Sequence, residues 1–152
     1  MVESHMKNFN KILVPVDESV ASVKAFEKAL LLARDLSAEI TLLHVIPPII
    51  QGNYKLSSPP PETRMVIAAS NLIGDLRERV KNNDVKIHSM IKDGSPANEI
   101  LKASEGFDLV VMGNKGRNPL SDMILGSVAE KVVRDCHLPV MLVGEKKNRG
   151  SE

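Results

Sequence analysis

The sequence predicts an α/β domain: a five-stranded parallel sheet with helices on both faces. Short apolar runs alternate along the chain with segments whose apolar residues recur at helical spacing. Two of the runs, 11–16 and 109–112, are apolar almost throughout, which is typical of central strands. Residues 85–91 instead alternate between apolar and polar, which indicates an edge. Right-handed crossovers then favour the strand order 3-2-1-4-5.

The predicted elements follow from the spacing of apolar residues and from the proline, serine and glycine residues at the ends of each segment. Pro15 suits the last turn of the first strand, because it lacks an amide donor. Ser95 and Pro96 fit the cap and first turn of the third helix. The strands are expected at 11–16, 40–46, 85–91, 109–112 and 139–143. The helices are expected at 19–36, at 65–80, from Ser95–Pro96 onward, and at 127–136, with a loop rich in Pro, Ser and Gly over 47–61.

Composition limits the function classes. The chain has 152 residues, a formal net charge of +1, 3% aromatic residues and one cysteine, Cys136. These values argue against nucleic-acid partners and an anionic membrane surface, and a single cysteine suits a reducing cytoplasm. No apolar run reaches the roughly 18 residues of a membrane span. We expect a cloning remnant at 1–6, one domain over 7–144, and a polar tail over 145–152.

A glycine-containing run follows the fourth apolar segment. Gly113 and Gly116 stand there, and Gly126-Ser127 opens the fourth predicted helix, with nine residues between Gly116 and Gly126. Backbone amides before a helix N-terminus form a cradle for an anion, most often a phosphate. In the order 3-2-1-4-5 the chain reverses direction between strands 1 and 4, whose ends are Asp17 and Gly113. Ligands bind in the crevice at such a point.

Two interpretations of this run stay open from the residues alone. In the first, Lys115 and Arg117 add positive charge, and the amides after Gly126 and the Ser127 hydroxyl hold a phosphate. In the second, the glycines only turn the chain and Ser127 only caps a helix, with Glu130 completing a capping box. The spacing matches neither a P-loop nor the dinucleotide fingerprint.

The remaining polar residues form no second constellation. A receiver-type phosphorylation site would need Asp93 and Lys146 in positions that the strand pattern does not support. The histidines do not cluster, and His44 is expected as a packed or surface residue near the end of the second strand. No cysteine and histidine spacing indicates zinc.

Several motifs together resemble the universal stress protein family. They are residues 14–19 (VPVDES), 43–46 (LHVI), the long glycine spacing from Gly113 through Gly126 to 126–133 (GSVAEKVV), and 138–140 (LPV). The spacing is similar to that of the ATP-binding branch. The resemblance implies that Asp17 lies near the ribose or the metal–phosphate group and Val45 beside the adenine. The other implied nucleotide-binding residues are Pro15, Val16, Met112, Gly113, Gly116, Arg117, Gly126, Ser127 and Val128.

The resemblance also implies ATP with Mg²⁺ or Mn²⁺ as ligands, and a cytoplasmic sensor or regulator with at most slow ATP hydrolysis. The last predicted strand is uncharged over 140–143. It is expected to be an unprotected edge that joins two copies into a homodimer through Val140, Met141, Leu142 and Val143; the alternative is that a loop or the tail covers this edge. Two alternatives remain: a nucleotide-free dimerisation module of the same fold, and a hydrolase or transferase using the same pocket.

Overall fold

The computed structural model describes residues 8–48, 61–116 and 125–145 of the chain. The expected cloning remnant, most of the loop 47–61, Arg117 and the tail after Glu145 lie outside these ranges. Strands and helices alternate along the described chain. The strands are β1 (Lys11–Pro15), β2 (Glu39–Ile46), β3 (Ile87–Asp93), β4 (Leu109–Gly113) and β5 (Val140–Val143). The helices are α1 (Val20–Leu36), α2 (Pro61–Arg79), α3 (Pro96–Ser104) and α4 (Ser127–Asp135).

The five strands form one parallel sheet in the order β3-β2-β1-β4-β5, which confirms the prediction. β1 pairs with β2 from Lys11 opposite Glu39 to Pro15 opposite Leu43, and with β4 through Ile12 and Leu13. The carboxyl ends of β1 and β4 therefore lie side by side, where the connections diverge to opposite halves of the sheet. A crevice is expected at this point.

The sheet separates two apolar layers, because successive side chains of a strand point to opposite faces. Ile12 and Val14 of β1 pack with α1 and α2, around the fully buried Phe26 side chain. Leu13 of β1 instead packs with α3 and α4, together with Val110. Both faces of β1 and β4 are thus covered, which explains their continuous apolar character.

Several local predictions hold. Pro15 is the last residue of β1, so the missing amide interrupts no central ladder bond. Ser19 caps α1, and its hydroxyl oxygen accepts a hydrogen bond from the Ser22 amide at 3.1 Å. Pro96 is in the first turn of α3, directly after the cap Ser95. β3 is an edge strand with five of its seven residues exposed, although it begins at Ile87 rather than at residue 85.

The start of α4 differs from the prediction. Gly126 is the N-cap and Ser127 is the first helical residue, so the expected capping box of Ser127 with Glu130 is wrong. The cap has no side chain that could accept a hydrogen bond from the first-turn amides. This difference matters because it leaves the first turn of α4 without the usual internal acceptor.

β5 is the other edge of the sheet, as predicted, since it pairs with β4 alone within the described chain. Its Val140 and Leu142 side chains pack toward α3 and α4, whereas Met141 is 39% exposed. Among the helices that the structure describes, none has the length and apolar character needed to cross a bilayer.

Candidate functional site

A cavity of about 700 Å³ opens at the carboxyl ends of β1, β2 and β4. Its volume falls within the range of about 300–1,000 Å³ that small-molecule sites occupy. The first turns of α1 and α4, one face of α2 and the start of α3 complete its walls. The topology and the glycine run independently predicted a site at this crevice, and the cavity lies there.

The structure brings the predicted site residues together. Ten of the eleven line this one cavity, and the eleventh, Arg117, lies outside the described residues. The ten are Pro15, Val16, Asp17, Val45, Met112, Gly113, Gly116, Gly126, Ser127 and Val128. They come from segments more than 100 positions apart, and the parallel sheet is what places them around one opening.

Asp17 is held in a fixed orientation by the start of α1. Its Oδ1 atom accepts a hydrogen bond from the Ser19 amide at 2.7 Å, and its own amide donates to the Ser22 hydroxyl oxygen at 2.9 Å. Its other carboxylate oxygen faces Gly116, because a Cβ atom at position 116 would lie 3.6 Å from Asp17 Oδ2. The carboxylate therefore lies beside the glycine run at the end of the first strand.

Gly113 has a packing role that the sequence did not reveal. A Cβ atom at this position would lie 2.9 Å from both the carbonyl carbon and the Cβ of Ala21, and 3.0 Å from the Ser22 amide nitrogen. The backbone of α1 thus rests directly on the end of β4. At Gly113 the missing side chain therefore lets a helix approach the strand.

Gly126 is required by close contact between two stretches of backbone. A Cβ atom there would lie 3.3 Å from the Asn114 carbonyl oxygen and from the Lys115 Cα atom. The Gly126 amide donates to that same Asn114 carbonyl at 2.7 Å. The Gly126 amide is therefore engaged by the protein itself, unlike the amides after Gly126 that were expected to hold a phosphate. Its bond instead fixes the start of α4 against the glycine run.

The amides that follow Gly126 belong to the first turn of α4. The first helical hydrogen bond runs from the Glu130 amide to the Gly126 carbonyl at 2.9 Å. The amides of Ser127, Val128 and Ala129 precede it, and no side chain caps them. All three residues line the cavity. The positive end of the helix dipole faces the same space, so the first turn of α4 is suited to an anion.

Charged side chains complete the polar part of the cavity. Lys115 is half-buried in its wall, and within the described ranges no hydrogen bond or ion pair engages its ammonium group. Asp17 and Glu18 line the neighbouring wall. The described residues contain no group of three or more histidine, cysteine or acidic side chains that could hold a metal ion by themselves.

Sequence reasoning missed the contribution of α2. Met65, Ala68, Ala69 and Leu72 form an apolar wall opposite the glycine run. Their spacing along the helix was visible, but a helical stripe does not distinguish a core face from a cavity face. His44 was expected as a packed or surface residue; it lines the cavity, with its Nδ1 atom 2.8 Å from the Val16 carbonyl oxygen.

The sheet order and the crevice at its switch point define a Rossmann-like α/β domain. The sequence profile of the universal stress protein family matches residues 8–144. The chain therefore belongs to the universal stress protein family.

Individual relatives agree with this assignment. Universal stress protein MJ0531 of Methanocaldococcus jannaschii is 31% identical over 147 residues, covering 91% of this chain and 84% of the relative. Universal stress protein YxiE of Bacillus subtilis is 33% identical, covering 89% of this chain and 99% of the relative. The structure of MJ0577, also from Methanocaldococcus jannaschii, superposes with a TM-score of 0.79 at 27% identity, covering 93% of this chain and all of that one.

More distant structures share the fold and contain nucleotides. A universal stress protein in complex with cAMP has a TM-score of 0.69 at 20% identity, covering 90% of this chain and 98% of that one. An Arabidopsis thaliana family member with AMP bound has a TM-score of 0.65 at 22% identity, covering 94% and 97%. At these identities the likeness establishes a common fold.

Proposed function

We propose that this protein is an ATP-binding universal stress protein that acts in the cytoplasm as a nucleotide-dependent sensor or regulatory module. One observation carries the proposal. The uncapped first turn of α4 and the residue Lys115 line the same cavity, at the switch point of the sheet. Both favour an anion, and the adjoining apolar walls suit a flat base and a sugar.

The phosphate half and the nucleoside half of the ligand would contact different walls of the cavity. The phosphates would contact the amides of Ser127 and Val128, the Ser127 hydroxyl and the Gly116 main chain. A helix N-terminus contributes about 0.3–1 kcal/mol toward an anion, and up to about 2 kcal/mol when partly buried. Several amides and Lys115 must therefore act together. The base would lie toward β2 against Val45, and the ribose would lie beside Met112 of β4; both residues are nearly fully buried.

A divalent cation, Mg²⁺ or Mn²⁺, would accompany the phosphates. Oxygen ligands suit Mg²⁺, which usually takes one or two carboxylates together with phosphates and water. Asp17 fits that role, because one carboxylate oxygen is held by the Ser19 amide and the other faces Gly116. When bound, the cation would neutralise phosphate charge beside two acidic residues, Asp17 and Glu18.

Hydrolysis of ATP would be slow at most. Rapid phosphoryl transfer needs a group that orients the attacking water in line with the phosphate. Among the described cavity residues near the glycine run, Asp17 is the group suited to that task, and its Oδ1 atom is already engaged by the Ser19 amide. The geometry thus suits holding a nucleotide better than turning it over.

The bound nucleotides of distant family members support the choice of ligand. The cAMP and AMP in those structures both contain adenine, and the apolar base side of the cavity described here is compatible with such a base. We also propose a homodimer joined through β5, because this edge strand carries four apolar residues and no charge.

The experiment is a thermal melt of the purified protein with and without ATP and Mg²⁺. A ligand at 100 times its Kd stabilises the native state by about 2.7 kcal/mol, which raises the melting temperature measurably. Gly126→Val should abolish this rise, because its side chain would press on the Asn114 and Lys115 backbone. Ser127→Ala should reduce it, since one hydroxyl donor is lost while the amides remain.

Gly106→Val serves as the matched control, because a Cβ at position 106 meets nothing within 4 Å. It should retain the full rise with ATP. A wild-type melting temperature unchanged by millimolar ATP and Mg²⁺ would refute the proposal and favour the nucleotide-free dimerisation module. Fast, multiple-turnover consumption of ATP would favour the hydrolase or transferase instead.

A further inference from the structure

His44 occupies a special place in the cavity. It stands near the end of β2, one residue before Val45, and its half-buried ring forms part of the cavity wall. Its Nδ1 atom lies 2.8 Å from the Val16 carbonyl oxygen, which joins the ends of β2 and β1. The ring is therefore oriented by the protein itself, before any ligand enters.

This contact fixes the hydrogen-bonding character of the ring. A carbonyl oxygen can only accept, so His44 Nδ1 carries a proton and donates it. In the neutral imidazole the other nitrogen, Nε2, is then an acceptor. No side chain or amide of the described chain donates to Nε2. The atom is nevertheless open to solvent: among the described residues, the buried side-chain polar atom without a partner is Asn114 Oδ1 and not His44 Nε2.

The position of the His44 ring determines which half of a bound nucleotide the ring can contact. β2 and β4 lie on opposite sides of β1, so His44 is separated from the first turn of α4 by the width of a strand. A neutral acceptor also repels phosphate oxygens, which are themselves acceptors. Within a bound nucleotide, the group suited to Nε2 is therefore an N–H or O–H donor on the nucleoside side, which would take the place of water.

We propose that His44 is a specificity-determining residue whose Nε2 atom accepts a hydrogen bond from the nucleoside half of the bound nucleotide. The donor is either the exocyclic amine of the base or a hydroxyl of the sugar. This inference rests on the proposed nucleotide-binding function. A base with a carbonyl in place of the amine would set two acceptors against each other and be rejected.

The test uses His44→Asn, whose side-chain amide can still donate to the Val16 carbonyl but offers no acceptor at the Nε2 position. Calorimetry at mildly alkaline pH would compare ATP, ITP, 2′-deoxy-ATP and 3′-deoxy-ATP, each with Mg²⁺. Loss of one hydrogen bond should weaken ATP binding roughly three- to tenfold. The ligand that lacks the hydrogen-bond donor recognised by His44 should bind His44→Asn and the wild-type protein with equal affinity.

The affinity ratios identify the donor. If the amine is read, the preference for ATP over ITP should fall roughly three- to tenfold in His44→Asn, with the deoxy ratios unchanged. If a sugar hydroxyl is read, one of the deoxy ratios should fall instead. Because Val45 also contacts the base in the proposed mode, the quantity to compare is the change in affinity ratio between wild type and variant.

A second measurement needs only the wild-type protein. The ¹⁵N resonance of His44 Nε2 should shift on addition of ATP, because an accepted hydrogen bond alters the unprotonated nitrogen, while Nδ1 stays nearly constant. An unmoved Nε2 resonance in the ATP complex, or unchanged ratios for all three analogues, would overturn the inference alone. Absence of ATP binding by the wild-type protein would overturn the proposed function, and this inference with it.

Discussion

Gly113→Ala tests whether the contact between α1 and the end of β4 requires a residue without a side chain. The added methyl carbon would lie 2.9 Å from the carbonyl carbon and the Cβ of Ala21. These atoms belong to the first turn of a helix of 17 residues, so they cannot rotate away as a flexible side chain could. Either the start of α1 or the end of β4 must shift.

The size of the effect follows from this overlap. Ordinary contacts of a Cβ atom begin near 3.4 Å, so α1 must retreat by about half an ångström. Insertion of one carbon into a packed interior costs about 1–3 kcal/mol. For a domain of this length, 2 kcal/mol corresponds to a fall of roughly 7 °C in the melting temperature. The retreat also moves Ser22, which holds the Asp17 amide, so stabilisation by ATP should weaken as well.

Urea unfolding followed by circular dichroism measures the loss of stability directly. Gly106→Ala is the matched control, because a Cβ there meets nothing within 4 Å; its free energy of unfolding should stay within about 0.5 kcal/mol of wild type. Equal stabilities for Gly113→Ala and Gly106→Ala would refute the argument that helix packing fixes this glycine.

Three further outcomes are expected. Ser22→Ala should lower the free energy of unfolding by about 1–2 kcal/mol, since the Asp17 amide loses its acceptor; wild-type stability in urea would contradict this. Asp108→Ala should cost about 1 kcal/mol in the same assay, and Asp108→Asn less, because the carboxylate oxygen accepts from the Lys11 amide and its neighbour. Met141→Lys should give monomers by light scattering, whereas Met141→Leu should keep the wild-type mass; a dimeric Met141→Lys protein would reject pairing through β5.

Much of the fold could be predicted because the hydrophobic pattern of each strand matched its place in the sheet. The continuous apolar character of β1 and β4 follows from burial on both faces, and the exposed alternation of β3 follows from its place at an edge. Element ends were less accurate. β3 begins at Ile87 rather than at residue 85, because its register with β2 starts at Ile40 opposite Ile87; before it, the Lys86 carbonyl accepts a hydrogen bond from the Ile40 amide.

The site was predictable where its chemistry is carried by main chain and glycine. Gly116 and Gly126 mark the cavity, and the strand order located it between β1 and β4. The particular use of each glycine was not predictable, because a sequence shows that a position lacks a side chain and not what occupies the space. Gly113 leaves room for the start of α1, and the amide of Gly126 donates a hydrogen bond to the Asn114 carbonyl.

The ligand and dimer proposals meet at a single residue. The Asn114 amide donates to the Val143 carbonyl at the end of β5, at 3.0 Å, and the Asn114 carbonyl accepts from the Gly126 amide at 2.7 Å. Only one residue therefore separates the edge strand that would pair with a second copy from the cap of the helix that would bind phosphate. Because peptide groups are planar and rigid, a change in the path of β5 must be taken up at Asn114 or passed to the start of α4. Binding of ATP and assembly should accordingly be measured on the same samples, since neither can be assumed to be independent of the other.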